Sequence, residues 1–351
     1  MEKSQIVESA FGALPDGRQA RLYTLVNRKG MIVRISDYGG VITEIHTPDR
    51  DGLYTDITLG YDTVAPYSDE SPYFGALIGR FGNRIARGRF ELDGKTVQLP
   101  VNNGANHLHG GPDGFHKVLW RATPFERDDA RGLTLTHLSV DGEQGYPGNL
   151  TVTVVYTLDD DNALSVKFHA ITDQATPVNL TQHAYFNLAG HGSVLGHEMM
   201  IDADAYLPID AGLIPLGDEA KVAGTAFDFR VARALGGRIG DADEQLANGS
   251  GYDHNFVLNK RAGGPAVRVR EPVSGRVLEL FTDQPGVQLY SGNFLDGTLT
   301  GKGWRYDHRG AFCIEPQHFP DAPNQPQFAS TILRPGEQYE TESRFQFSVE
   351  K

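Results

Sequence analysis

The sequence has a single cysteine, Cys313, and no excess of positive charge. One cysteine cannot form an intramolecular disulfide, which is typical of proteins in a reducing compartment. The chain carries 32 lysine and arginine residues against 45 aspartate and glutamate residues, a formal net charge of −13. Because the phosphates of nucleic acids require a basic surface, this balance argues against a nucleic-acid partner.

Long apolar runs are also missing. No stretch approaches the ~18 apolar residues of a membrane-spanning helix, so we expect no membrane insertion. The segment from Met1 to Ala13 contains Glu2, Lys3 and Glu8 and no apolar run, unlike a secretory signal. Together with the lone cysteine, these features predict a cytoplasmic protein.

Amphipathic helical stripes are scarce, and alternating strand-like runs dominate instead. Leu133 to Val140 and Leu150 to Leu158 alternate along the chain and are rich in β-branched residues. This period of two predicts strands with one buried face. Three hairpins are indicated, with turns at Asp93-Gly94, at Asp159 to Asn162 and at Ser274-Gly275.

Helical signals are limited to Val231 to Leu235 and Asp241 to Ala247, each long enough for one or two turns. No strand–helix–strand rhythm occurs, which disfavours Rossmann and TIM-barrel folds. No linker, low-complexity tract or internal repeat interrupts residues 1–351. We therefore predict one all-β domain of residues 1–351, a large antiparallel β-sandwich with few short helices.

Several short motifs imitate ligand sites but lack the context that such sites need. Gly297 to Lys302 has three residues between its glycines instead of the four of a phosphate-binding loop. His107 and His109 have a metal-like spacing and would share one face of a strand. No neighbouring third ligand completes the set, so we predict no metal site. Cys313 has no histidine beside it and is interpreted as a small buried hydrophobic residue.

Two segments carry groups suited to proton transfer. His183 lies in the polar and aromatic segment from Asn179 to Gly190, and Glu315 lies in the strand-like run from Phe312 to Gln317. A positioned imidazole and carboxylate can act as general acid and base near neutral pH. From these residues alone, however, a structural carboxylate remains the simpler interpretation of Glu315.

These segments resemble those of the aldose 1-epimerase, or galactose mutarotase, family. The similar motifs follow the family's order along nearly the whole chain, at Gly79 to Ala86, Asn106 to Gly111, Asn179 to Gly190, Tyr252 to Phe256, Gln284 to Phe294 and Glu315 to Ala322. Two departures remove no functional group: Gly82 stands where many members carry Ala, and Pro316 where many carry Thr. Pro316 does remove a backbone donor next to Glu315.

The resemblance implies a β-sandwich of the galactose mutarotase type and an isomerase that requires no cofactor. It implies that the α and β anomers of free glucose- or galactose-type aldoses are interconverted, with a monosaccharide as the small-molecule partner. The catalytic residues that it implies are His183 and Glu315, and the substrate-binding residues are Asn83, Arg84, His109, Asp253 and Gln288. We expect the protein to be a monomer or a homodimer.

Anomer interconversion needs both an acid and a base, because the C1 hydroxyl loses a proton while the ring oxygen gains one. We hypothesise that Glu315 takes the hydroxyl proton and His183 protonates the ring oxygen. Tyr185, Phe186 and Trp304 could stack on a sugar face, although core packing is the commoner fate of such rings.

Three alternatives remain open. A hexose-6-phosphate 1-epimerase would need additional cations near C6 of the sugar, for which Arg305 and Arg309 are candidates. Another carbohydrate-active enzyme on the same fold, such as a hydrolase, would need two carboxylates across the scissile bond. A non-catalytic sugar-binding protein would lack the acid or the base. Taken singly, Arg84 and Asp253 also fit structural roles.

Overall fold

The computed structural model describes residues 5–69, 71–259 and 263–351, and strands dominate them. The strands of the first half are β1 Gln5–Ala13, β2 Gln19–Val26, β3 Ile32–Ser36, β4 Ile42–Pro48, β5 Tyr54–Asp56, β6 Ala76–Ile78, β7 Arg84–Ile85, β8 Arg89–Leu92, β9 Lys95–Gln98, β10 His107–Leu108, β11 Arg121–Arg127, β12 Ala130–Ser139, β13 Leu150–Asp159, β14 Ala163–Thr172 and β15 Thr176–Pro177. Those of the second half are β16 Thr181–His183, β17 Glu198–Ile201, β18 Ala203–Tyr206, β19 Ala220–Lys221, β20 Arg233–Ala234, β21 Asp253–Leu258, β22 Val267–Arg270, β23 Arg276–Thr282, β24 Gly286–Tyr290, β25 Thr300–Gly301, β26 Trp304–Arg305, β27 Cys313–Gln317, β28 Ile332–Leu333 and β29 Tyr339–Val349.

The helices of the described residues are short. The α-helices are α1 Ala65–Ser68 and α2 Glu244–Gly249, and the single-turn 3-10 helices are Ala86–Gly88, Phe115–Lys117, Glu143–Gly145, Leu235–Gly237 and Ala322–Asn324. Within the three described ranges, no helix has the length and apolar content to span a membrane.

The largest sheet has nine strands in the order β11-β12-β13-β14-β29-β23-β22-β17-β20, and its neighbouring strands are antiparallel. On β13, Val152, Val154 and Tyr156 are buried while the residues between them are partly exposed. This alternation is the period of two in the sequence, and it gives the sheet one face toward the core.

Two five-stranded sheets complete the sandwich, in the orders β1-β2-β3-β4-β5 and β19-β18-β21-β24-β27. Apolar side chains from both, such as Val33 and Val287, share one core with Val154 of the nine-stranded sheet. The all-β prediction is therefore confirmed, and its physical basis is the burial of one face of each sheet.

All three predicted hairpins are present, as β8–β9, β13–β14 and β22–β23. At the first of them, Asp93 and Gly94 have φ of 50° and 76°. Positive φ at both central residues is the geometry of the two-residue turn that Asp-Gly favours. Cys313 is free and buried, as the sequence predicts.

One of the two predicted helices is wrong. Arg233 and Ala234 form the edge strand β20, which pairs with Glu198 and Met199 of β17, and only a 3-10 turn follows. The segment is too short to form a stable helix by itself, so sheet pairing decides its conformation. The second prediction is confirmed by α2, where the side chain of Asp243 accepts the N–H groups of two residues of the first turn.

Candidate active site

His183 and Glu315, far apart in the sequence, are both buried and meet at the wall of an open cavity. His183 ends strand β16, and Glu315 lies in the middle of β27. The hydroxyl of Thr181 joins these strands by donating to the carbonyl oxygen of Pro316 at 2.7 Å. The Nε2 atom of His183 lies 3.6 Å from Oε2 of Glu315. The fold thus brings the predicted acid and base within reach of one small ligand.

Burial changes the proton affinity of both groups. Desolvation lowers the pKa of His183 to about 4. Desolvation, followed by the negative charge of Asp253, raises the pKa of Glu315 well above its ordinary value, and Arg84 opposes this rise. Burial therefore favours the neutral form of each group. Within the described residues, Nδ1 of His183 and Oε2 of Glu315 are buried without a hydrogen-bond partner. Such unsatisfied buried polar atoms are uncommon and are often found at catalytic sites.

The cavity has a volume of about 300 Å³, at the lower end of the ~300–1,000 Å³ of small-molecule sites. Its walls combine polar and aromatic side chains, namely Pro72, Tyr73, Asn83, Arg84, Asn103, Leu108, His109, His183, Tyr185, Asp253, Tyr290, Phe294 and Glu315. Of the seven predicted site residues, Gln288 alone is not part of this wall. The cavity is small and polar enough to enclose a ligand with many hydroxyl groups.

Asn83, Arg84 and His109 are arranged by backbone hydrogen bonds. The backbone N–H of Asn83 donates to Nδ1 of His109 at 3.1 Å, and that of Arg84 donates to Oδ1 of Asn83 at 2.9 Å. Because one nitrogen of a neutral imidazole accepts and the other donates, Nε2 of His109 carries the proton. Burial lowers the pKa of His109 well below its ordinary value, so the ring stays neutral. His109 therefore offers an N–H donor.

His107 and His109 do not share a face, contrary to the expectation from their spacing. Strand β10 ends at Leu108, and His109 has a φ of 52°, outside the strand region. The nitrogens of His107 instead lie 2.7 Å from the carbonyl oxygen of Pro100 and 2.7 Å from the hydroxyl of Tyr146. His107 is consequently a satisfied structural residue, and only His109 reaches the cavity.

A metal site can be tested against this geometry. One ligand atom each of His109, His183 and Glu315 lie within 4.8 Å of one another. However, the N–H of Asn83 occupies the lone pair of His109 Nδ1, and Nε2 carries the proton. A histidine that binds a metal normally donates its second nitrogen to an acceptor instead. His183 and Glu315 remain as ligands, fewer than the three protein ligands of a catalytic zinc site. The donor set suits hydrogen bonding better than metal coordination.

Asp253 and Gln288 form one hydrogen-bonded unit on neighbouring strands. Gln288 of β24 pairs in register with Glu315 of β27, and its Nε2 donates to Oδ1 of Asp253 at 2.7 Å. Burial raises the pKa of Asp253, while Arg84 and Gln288 oppose the rise. Gln288 therefore fixes the carboxyl of Asp253 rather than contributing to the cavity wall.

Comparison with known proteins identifies the family of the chain. The family model described as aldose 1-epimerase matches residues 21–346. The chain belongs to the aldose 1-epimerase family. Galactose mutarotase of Bos taurus is 47% identical over 98% of this chain and 99% of its own length. Aldose 1-epimerase of Escherichia coli K12 is 40% identical over 96% of this chain and 97% of its own.

Solved structures show the same aldose epimerase fold. Galactose 1-epimerase from Lactobacillus acidophilus NCFM matches with a TM-score of 0.88 at 29% identity, covering 99% of this chain and 100% of that one. The aldose epimerase homologue from Caenorhabditis elegans matches with a TM-score of 0.86 at 30% identity, again covering 99% and 100%. The predicted fold type and family are both confirmed.

The aromatic residues of this aldose epimerase site were predicted only in part. Tyr185 lines the cavity, but Phe186 is buried in the core against Phe312. Trp304 is 52% exposed and stacks on His191 at a ring-centroid distance of 4.5 Å. It lines another cavity, of about 620 Å³, that shares no wall residue with the first. Size therefore does not identify the active site, because the larger cavity lacks the buried acid–base pair.

Tyr73, Tyr290 and Phe294 also line the cavity, and no role was predicted for any of them, although Tyr290 and Phe294 lie within the family-like motif from Gln284 to Phe294. Phe294 is 61% exposed, and its ring stacks on Tyr290 at 6.0 Å. An exposed aromatic ring next to a polar cavity is a suitable platform for the apolar face of a sugar. Nothing in the sequence around Tyr73 predicted that its ring lies next to that of His183.

Proposed function

We propose that this member of the aldose 1-epimerase family interconverts the α and β anomers of free glucose- or galactose-type aldoses. The observation that carries the proposal is the buried His183–Glu315 pair, 3.6 Å apart at a cavity of about 300 Å³. An acid and a base beside one bound ring are what hemiacetal opening requires. The family membership supports the same reaction.

In the proposed mechanism, Glu315 takes the proton of the C1 hydroxyl while His183 protonates the ring oxygen. The bond between C1 and the ring oxygen breaks, and the open aldehyde forms. Rotation about the C1–C2 bond presents the other face of the carbonyl. His183 then takes back its proton from the C5 hydroxyl and Glu315 returns its proton to the carbonyl oxygen. Each positioned group contributes about 10²–10⁴-fold in rate.

The proton balance of the pair agrees with the direction of the pKa shifts. Before ring opening Glu315 is a carboxylate and His183 is an imidazolium; after opening, both are neutral. The pair and the sugar together hold the same number of protons throughout. Burial, which favours the neutral forms, thus stabilises the arrangement that accompanies the open chain. Starting from the ion pair, burial lowers the cost of reaching the aldehyde, but the ion pair must first form from the neutral pair that burial favours.

The remaining cavity residues are proposed to bind the sugar hydroxyls. Arg84 and the Nε2–H of His109 would donate, and the carboxyl of Asp253 would accept. Asn83 would act partly through His109, to which its N–H donates. Gln288 would act through Asp253, which it contacts at 2.7 Å. A ring held by its other hydroxyls keeps its place while C1 turns.

A hexose-6-phosphate 1-epimerase is the first alternative, and charge argues against it. Among the described residues that line the cavity, Arg84 is the one arginine or lysine. Arg305 lines the larger cavity, and Arg309 donates to the carbonyl oxygen of Ser250 at 3.4 Å. Neither candidate cation lines the His183–Glu315 cavity, and a phosphate site needs such cations.

Two variants test the proposal. Glu315→Gln and His183→Asn keep size and polarity but remove the base or the acid, so mutarotation of freshly dissolved α-glucose and α-galactose, followed by polarimetry, should fall at least about 10²-fold. Glu279→Gln, on β23 and outside the cavity, is the matched control and should leave the rate unchanged. Wild-type rates in Glu315→Gln would refute the base assignment.

The alternatives are separated with the wild-type protein. Faster turnover of α-glucose 6-phosphate than of α-glucose would favour the phosphosugar enzyme. Release of reducing ends from oligosaccharides would favour a hydrolase. We further propose a cytoplasmic location, which the single free cysteine supports. We also propose that the protein is a monomer or a homodimer. Light scattering coupled to size-exclusion chromatography distinguishes the two oligomeric states.

A further inference from the structure

Two tyrosine rings flank the imidazole of His183. The ring of Tyr185 lies 5.1 Å away between centroids with planes 18° apart, and that of Tyr73 lies 5.9 Å away with planes 26° apart. Both distances fall within the ~6 Å over which the π face of an aromatic ring attracts a cation. The near-parallel planes direct ring faces rather than ring edges toward the imidazole.

Tyr73 is held in this position by the strand that carries His183. The hydroxyl of Tyr185 donates to the carbonyl oxygen of Pro72 at 2.9 Å, and the N–H of Gly75 donates to the carbonyl oxygen of His183 at 3.0 Å. Tyr73 itself has a φ of 65°, a conformation that bulky residues rarely adopt. Surrounding contacts must maintain such a backbone, so the placement of this ring is strongly constrained.

Among the described residues around His183, no other group brings a second positive charge close to it. Glu315 is the acidic neighbour, at 3.6 Å. The ring of His109 is 5.1 Å away, and His116 contacts the ring of Tyr73 at 4.8 Å. Burial lowers the pKa of His109 well below its ordinary value and that of His116 to about 3, so both are neutral.

The charged groups across the cavity, Arg84 and Asp253, act mainly on the carboxylate side of the site. They oppose each other in the pKa of Glu315, which Asp253 raises and Arg84 lowers. Desolvation is the leading influence on His183 itself. A buried imidazole that must become positive during the reaction therefore depends on its immediate neighbours for stabilisation.

We propose that the π faces of Tyr73 and Tyr185 stabilise the imidazolium form of His183 and so tune the acid of the reaction. Both tyrosines are positioning residues in this role, because they act through His183. The inference rests on the proposed function of His183 as the acid. The competing interpretation is that the two rings only exclude water. The two interpretations predict opposite changes in the pKa of His183 when a ring is weakened. Loss of a π face destabilises the imidazolium and lowers the pKa, whereas entry of water stabilises the imidazolium and raises it.

Progressive fluorination of one ring tests the sign without changing its size. Tyr73→Phe keeps the π face, and mono-, di- and trifluorinated phenylalanine at the same position weaken that face stepwise. NMR of the ring nitrogens then measures the pKa of His183, and polarimetry measures kcat and KM. We expect the pKa of His183 to fall by about 0.5–1 unit across the series. We expect kcat to fall about three- to tenfold, with KM unchanged.

Phe74 provides the matched control. It follows Tyr73 in sequence, is fully buried and packs against Tyr185 at 4.8 Å, but its ring does not flank His183. The same fluorinated residues at position 74 should leave the pKa of His183 and kcat unchanged. A pKa that stays constant or rises across the Tyr73 series, or an equal decrease in both series, would overturn the inference.

The Tyr185→Phe variant tests the anchor separately. It keeps the second ring but removes the hydroxyl that holds Pro72. If this bond positions Tyr73, the pKa of His183 in Tyr185→Phe should fall, but by less than in the protein with trifluorinated phenylalanine at position 73. An unchanged, wild-type pKa in Tyr185→Phe would contradict the anchoring role. The NMR titration needs no turnover. Failure of the inference therefore differs from failure of the proposed function, which full activity in His183→Asn would show.

Discussion

Burial of the His183–Glu315 pair should exchange the residues that limit activity at low and at high pH. Turnover requires one proton on the pair, because two protons remove the base and none removes the acid. With the ordinary pKa values of 4.5 for a glutamate and 6.5 for a histidine, the one-proton form would dominate only between these values. Activity would then decrease about tenfold per pH unit above 6.5.

The structure reverses the order of the two pKa values. The second proton binds to His183, whose pKa is lowered to about 4, so the acid limb should lie near pH 4 and belong to His183. The last proton leaves Glu315, whose pKa is raised well above 4.5 by desolvation and by Asp253. The alkaline limb should therefore belong to Glu315, whereas with ordinary pKa values it would belong to His183.

Polarimetry of freshly dissolved α-glucose, with the spontaneous and buffer-catalysed rates subtracted, measures this profile. The charge of Asp253 identifies the alkaline limb, because Asp253→Asn removes a negative charge that raises the pKa of Glu315. The limb should move to lower pH by about one unit. An alkaline limb that stays in place or moves to higher pH in the Asp253→Asn variant would refute the assignment.

Three further substitutions probe the support of the site. Gln288→Leu removes the 2.7 Å donor to Asp253 and should lower kcat/KM about 10–100-fold without lowering the thermal midpoint by more than a few degrees. Gly110→Ala would place a Cβ 1.7 Å from the carbonyl oxygen of Gly79 at a φ of 83°, so urea unfolding should show a loss of roughly 3 kcal/mol or more. The buried guanidinium of Arg80 donates to four backbone carbonyl oxygens, and Arg80→Met removes these donors. The free energy of unfolding should decrease by about 3 kcal/mol in the same measurement. Unchanged unfolding midpoints would contradict the last two predictions.

The fold was accessible from the sequence because one physical signal repeats along it. Long strands such as β13 and β29 bury alternate residues, and the tight turn at Asp93-Gly94 carries residues that tolerate positive φ. The segment from Val231 to Leu235 was predicted wrongly because it carries no such local signal. Its conformation depends on pairing with β17, a strand distant in sequence, and no local pattern records that partner.

The site was predictable to the extent that its residues lie in recognisable motifs. His183 and Glu315 were selected by resemblance, since a carboxylate in an apolar strand has several interpretations. Two features escaped because each depends on a contact across the fold. Gln288 contacts Asp253 from a neighbouring strand instead of lining the cavity, and Tyr73 reaches His183 from a turn. Side-chain identity alone does not contain this information.

The chemistry of the site and its cost to stability have the same origin. The folded-state pKa of Glu315 is raised, so its contribution to stability is complete below the unfolded value of 4.5 and is lost as pH rises through the folded pKa. The same burial that makes ionisation unfavourable lowers the pKa of His183 and raises that of Glu315, the two shifts on which the predicted pH profile depends. A sandwich whose large apolar core lies between extensive sheets can tolerate a few buried ionisable groups. The reactive pair is consequently located on strands, where packing holds it rigidly, rather than on mobile loops.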